Sequence, residues 1–156
     1  MPVPIKIIKL ARCFLYSEKL TNNRLYKKEK LCGTIAIDTL FTRGESQVAT
    51  AYPLRAVWRE NERRELKNVQ FLVSVPKKRF KHAVDRVKLR RRIREAYRLN
   101  RAALELPEGK AVDVAFIYLG DKIAKYADIE HAMKKALGKI TLALTPPVTA
   151  GDETDN

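Results

Sequence analysis

The stretch from Lys77 to Arg101 constrains this chain more than any other. It holds twelve basic residues, Lys77, Lys78, Arg79, Lys81, Arg86, Lys88, Arg90, Arg91, Arg92, Arg94, Arg98 and Arg101, against only Asp85 and Glu95. Ten of the fourteen net positive charges of the 156-residue chain therefore sit in one window. Like charges one turn apart destabilise an isolated helix. Such a segment folds only if an apolar stripe ties it to a core, and an anionic partner then relieves the repulsion. Leu89, Ile93, Ala96, Tyr97, Ala103 and Leu104 supply the stripe and predict a helix from Asp85 to about Leu104, ended by Pro107 and Gly109. Arg86, Arg90, Arg94 and Arg98 then follow one another at i+4 along one flank, and Arg101 continues it. Lys88 and Arg92 lie on the other flank, with Arg91 opposite the core. Arginine forks grip phosphate oxygens in pairs, and rungs four residues apart rise by roughly 6 Å, a pitch that can follow successive phosphates. Glu95, one turn from Arg91 and Arg98, is placed to hold both.

The remaining composition narrows the class. At 46 % hydrophobic and 32 % charged, the chain can build one core of its own. Two cysteines, Cys13 and Cys32, exclude a disulfide framework and a multi-cysteine zinc site, and each reads as a buried thiol. No apolar run approaches the roughly 20 residues that span a bilayer. Lysines break the N-terminal stretch Ile5-Lys6-Ile7-Ile8-Lys9-Leu10, so it does not read as a secretory signal. The expectation is a soluble, cytoplasmic protein with an anionic partner. A membrane surface fits less well than nucleic acid, because the stripe lacks Trp and Phe and the strand that follows needs it as core.

Around the basic window the pattern is α+β. Residues 1–22, interrupted by Pro2 and Pro4, show no clean period and receive no function. Thr34 or Asp38 is placed to cap a short helix whose apolar side is Leu31, Ile35, Leu40 and Phe41, with Gly44 as its stop. Val48 to Glu60 reads as one extended segment, with Pro53 marking an edge. After the charged turn Asn61-Glu62-Arg63-Arg64-Glu65, Val69, Phe71, Val73 and Val75 alternate as a second strand, expected antiparallel to the first. Val112, Val114, Phe116 and Tyr118 form a third clear strand, closed by Gly120. Ile129, Met133, Ala136, Leu137, Ile140 and Leu144 share a face of a last helix, stopped by Thr145-Pro146-Pro147.

Catalytic groups do not gather. Asp38, Asp85, Asp113, Asp121 and Asp128 are scattered, which speaks against a metal-dependent nuclease. His82 sits inside the basic run, and His131 falls on the polar side of the last helix. No Gly-rich phosphate loop is present. The chain reads as a binder of an anion that does not itself perform chemistry.

Two segments carry a family resemblance. Val73-Ser74-Val75-Pro76-Lys77-Lys78-Arg79-Phe80, followed by Ala83-Val84-Asp85-Arg86-Val87-Lys88-Leu89-Arg90-Arg91-Arg92-Ile93-Arg94-Glu95-Ala96-Tyr97-Arg98-Leu99, resembles the signature of the bacterial ribonuclease P protein component. That signature is a strand ending Ser-Val-x-Lys-Lys, a short loop, and Arg-Asn-Arg-x-Lys-Arg-x-x-Arg-Glu on a helix. Lys30-Leu31, Phe41 and Gly44-Glu45-Ser46 resemble the region of the family's first helix. The likeness spans residues 26–144, leaving residues 1–25 as an N-terminal extension and 145–156 as a disordered acidic tail.

The resemblance implies a single small domain of order αβββαβα, with about four strands and a left-handed βαβ crossover, like the second domain of a ribosomal protein fold. It implies a monomeric accessory subunit in a one-to-one complex with a catalytic RNA. Together they remove the 5′ leader of precursor tRNA. The magnesium ions and the chemistry lie in the RNA, with no cofactor and no catalytic residue in this chain. It further implies that Lys77, Lys78, Arg86, Lys88, Arg90, Arg91, Arg94 and Arg98 contact the RNA, and that a cleft with Ile37, Phe41 and Arg55 holds the leader. Val87 and Lys88 depart from the pattern, standing where the family has the asparagine and second arginine of Arg-Asn-Arg. The residues alone also fit a non-catalytic basic RNA-binding protein such as a ribosome-assembly factor.

Overall fold

Residues 24–42, 44–65 and 68–145 are described by the computed structural model. Their elements run α1 (Thr34–Phe41), β1 (Gln47–Ala51), β2 (Leu54–Glu60), β3 (Val69–Ser74), α2 (Ala83–Asn100), β4 (Val112–Tyr118) and α3 (Tyr126–Leu144), with 3-10 turns at Lys27–Glu29 and Arg101–Ala103. The sheet order is β1-β2-β4-β3, antiparallel except for the β3–β4 pair. This is the expected α+β order of three helices around a four-stranded sheet. The proposed extension up to residue 23, Cys13 and the tail after Thr145 lie outside the described residues. Arg24 and Leu25 are already tied in: the Arg24 carbonyl accepts from Arg101 Nη1 at 3.3 Å, and Leu25 packs on the main core.

Strand periodicity sorts side chains onto two faces. One face carries Leu54, Ala56, Trp58, Phe71, Val73, Val112, Val114, Phe116 and Tyr118. It meets Leu89, Ile93, Ala96 and Tyr97 of α2 and Ile129, Met133, Ala136, Leu137, Ile140 and Leu144 of α3. The Tyr97 ring sits between Phe71 and Phe116, with centroids 4.2 and 5.8 Å away. The opposite face is covered in part by α1, where Leu31, Leu40, Val57 and Ala115 are buried and Ala36, Ile37, Leu72 and Ile117 pack around them. β4, central and covered on both sides, accordingly reads as a nearly continuous apolar run.

Several sequence expectations are corrected. Val48–Glu60 is a hairpin, not one strand: Tyr52 and Pro53 form its two-residue loop, and Ala51 pairs with Leu54. The strand at 69–74 does not pair with 54–60; it runs parallel to β4 at the far edge. Long-range pairing decides this, and alternation within a strand is blind to its neighbour. α1 is capped at Gly33 without a side-chain bond, and neither Thr34 nor Asp38 serves. Its buried side is Ala36, Ile37 and Leu40, whereas Ile35 is 84 % exposed. α2 begins two residues before Asp85 and ends at Asn100, whose Nδ2 donates to the Ala96 carbonyl at 2.8 Å. Ala103 is exposed, while Leu104 reaches the core. Cys32 is an exposed free thiol, not a buried one.

Candidate nucleic-acid interface

Burying Leu89, Ile93, Ala96 and Tyr97 turns the charged side of α2 outward. The cations there divide into braces and free groups. Arg86 Nη1 donates to the Phe80 and Lys81 carbonyls, each at 2.7 Å, and closes the loop before the helix. Arg92 Nη1 donates to the Ala124 carbonyl at 2.5 Å. Arg79 donates to the Leu119 carbonyl and pairs with Asp121 at 2.9 Å, so two arginines of the basic window secure the β4–α3 loop. Arg98 forms a fork with Glu95, Nε to Oε2 at 2.9 Å and Nη2 to Oε1 at 2.5 Å. That hydrogen bond holds the Glu95 carboxyl below the usual carboxylate range and raises the Arg98 guanidinium. Arg101 pairs with Glu29 at 2.7 Å.

Lys88, Arg90, Arg91 and Arg94 are different: among the described residues none has a protein hydrogen bond or ion pair. The i+4 row is therefore real, but its rungs are unequal. Arg90 and Arg94 in the middle are free, and Arg86 and Arg98 at the ends are engaged. Glu95 holds Arg98 and not Arg91. Lys77 and Lys78 are exposed in the turn after β3, at the helix entrance, and Lys81 is exposed beside them. His82 is the N-cap residue of α2 but makes no side-chain cap bond, and His131 is exposed on α3.

On the opposite sheet face, the concavity beside α1 opens on its Ala36–Thr39 flank, toward Arg59 and Arg63, and none of Ile37, Phe41 and Arg55 lines it. Ile37 and Phe41 lie one turn apart on the helix flank opposite Ala36 and Thr39. Ile37 is half-buried and Phe41 is 47 % exposed. Register places Arg55 between Thr50 and Ile117, and Ile117 beside Ser74, so one row crosses the sheet at the end from which the Lys77–Lys78 turn departs. Arg55 is exposed and has no ion pair among the described residues. The row's apolar member, Ile117, escaped the sequence reading; the apolar character of alternate positions 115 and 117 in β4 was the available signal. The structure thus separates Ile37, Phe41 and Arg55 from the α2 cations by the sheet, with the lysine turn joining the two surfaces.

Among the described residues the acids do not gather into a second centre. Asp113 is buried, paired with Arg64, and accepts from Asn61 Nδ2 at 2.9 Å. Among the described residues no group of three His, Cys, Asp or Glu could hold a metal ion, and no helix is long and apolar enough to cross a membrane.

Comparison with known proteins bears on the family and the fold. The family model described as Ribonuclease P matches residues 25–141. Two relatives named Ribonuclease P protein component, from two strains of Porphyromonas gingivalis, are each 39 % identical over 119 residues, covering 74 % of this chain and 85 % of theirs. The fold is similar to that of the Staphylococcus aureus RNase P protein, with a TM-score of 0.57 at 18 % identity over 75 % of this chain and 98 % of that one. The Thermotoga maritima RNase P protein gives 0.55 at 20 % identity, over 70 % and 99 %.

Proposed function

We propose that this chain, which belongs to the ribonuclease P protein family and so to the machinery of tRNA processing, is the RNA-binding accessory subunit of an endoribonuclease. Its partner is the ribonuclease P RNA, and the pair removes the 5′ leader of precursor tRNA as a one-to-one complex in the cytoplasm. The observation that carries this reading is the set of four cations on α2, Lys88, Arg90, Arg91 and Arg94, with no side-chain partner among the described residues. Cations left without partners on a rigid helix are groups that a polyanion can neutralise without breaking internal bonds. Lys77, Lys78, Arg86 and Arg98 extend the surface at its two ends.

In this reading the chain positions and neutralises. The RNA, with its magnesium ions, supplies the hydrolytic chemistry. Phe41 offers a ring face to an unpaired base of the leader, Ile37 an apolar wall, and Arg55 a charge to a leader phosphate. The functional unit is assigned to residues 26–144, flanked by segments 1–25 and 145–156.

Reconstitution tests the proposal. The protein alone leaves precursor tRNA intact. Adding the organism's ribonuclease P RNA at low magnesium restores cleavage at the mature 5′ end. Cleavage by the protein alone would sink the assignment of chemistry to the RNA. Comparable affinity for unrelated structured RNAs, with no gain in processing, would favour a ribosome-assembly factor.

A further inference from the structure

Two valines interrupt the cationic face of α2. Val84 is 77 % exposed and Val87 is 43 % exposed. With Ala83, Lys88, Arg91 and Arg92 they line a shallow open concavity. At about 100° per residue, Val87 falls between Arg94 and Arg91, and Val84 between Arg91 and Lys88. Along the axis both valines precede these cations, so the apolar strip lies at the N-terminal end of the cationic face, with Lys88 and Arg91 bordering it. Exposed valine helps neither the helix, where its propensity is low, nor the core. At position 87 the resemblance leads one to expect a polar asparagine.

We infer that this strip receives the face of an unstacked nucleobase of the RNA subunit, while Lys88 and Arg91, which border the same concavity, hold the phosphates that flank it. The inference rests on reading the chain as an RNA-binding subunit. An apolar floor two side chains wide, bordered by Lys88 and Arg91, matches one nucleotide, which joins a flat apolar base to anionic neighbours. A second copy of the chain would bring two strongly positive faces together. A lipid surface would meet only two small side chains, without the Trp or Phe that anchor interfacial helices.

The test uses the full protein and its own ribonuclease P RNA. Val84→Ser with Val87→Ser should lower RNA affinity about tenfold, the scale of the apolar area lost, while leaving the salt dependence of binding unchanged. Arg90→Ala with Arg94→Ala should instead flatten that dependence. The near-isosteric pair Val84→Thr with Val87→Thr keeps side-chain volume and helix preference, and should show a smaller loss in the same direction. Wild-type affinity in both valine variants overturns the inference. So does loss of binding to phosphatidylcholine–phosphatidylserine vesicles in those variants while RNA binding holds. Undiminished affinity in the arginine pair would instead sink the RNA-binding reading beneath it.

Discussion

The Tyr118 hydroxyl donates to the Lys122 carbonyl at 2.6 Å and accepts from the Ala124 N–H at 3.0 Å. With Arg79 and Arg92 it shapes the loop that joins β4 to α3. Tyr118→Phe leaves both backbone groups without this partner and should cost about 1–3 kcal/mol in urea unfolding. Burial raises the phenol above its ordinary 10.0. The folded state then keeps its proton where the unfolded state has lost it, so stability is full below about pH 10 and declines as pH rises further. Tyr118→Phe should reduce this alkaline decline, leaving the share of Tyr126, also raised by burial. A Cβ at Gly120 would stand 2.8 Å from the Tyr118 hydroxyl and 3.0 Å from its ring carbons, so Gly120→Ala should lower Tm. Glycine at 120 reads from sequence as a strand stop; its second role, clearance for a ring two residues back, depends on a side-chain direction that no local pattern encodes.

At the scale of elements, α2 divides into an apolar side that folds and a charged side proposed to bind RNA. Ile93 is wholly buried, and Ile93→Ala should cost about 2–5 kcal/mol in chemical denaturation. Arg90→Ala with Arg94→Ala should leave Tm unchanged and weaken RNA binding in a filter-binding assay. The opposite pattern would mean that the helix faces are reversed. In α3, a Cβ at Gly138 meets nothing within 4 Å, so Gly138→Ala should stabilise by about 0.5–1 kcal/mol in thermal or urea melts. The faces of both long helices were legible, because Leu89, Ile93 and Tyr97, or Ile129, Met133 and Ile140, recur at helical spacing with charges between them. α1 was less legible: in eight residues either Ile35 or Ala36 completes an apolar side, and the sheet beneath decides between them.

Over the whole molecule, the connection from β2 to β3 must pass the end of β4. Asp113 of β4 fastens it there, holding Asn61 and Arg64, while Arg64 Nη1 donates to the Asn68 carbonyl at 3.1 Å. Asp113→Ala leaves the Arg64 charge largely buried without its partner and should cost about 3–5 kcal/mol in equilibrium unfolding. In the sequence Asp113 is one of several scattered acids, and its role exists only once Asn61 and Arg64 are brought against β4.

The linear chain by itself determined the basic window, the helix faces, the alternating strands and the family likeness, because each is written in neighbours a few residues apart. Which strands pair and which arginines remain free was decided only in three dimensions. β3 lies beside β4 through contacts some forty residues apart, and Arg79, Arg92 and Arg101 were taken up by carbonyls and carboxylates equally remote. A guanidinium's local spacing states where it can point; the oxygen it meets comes from another part of the fold.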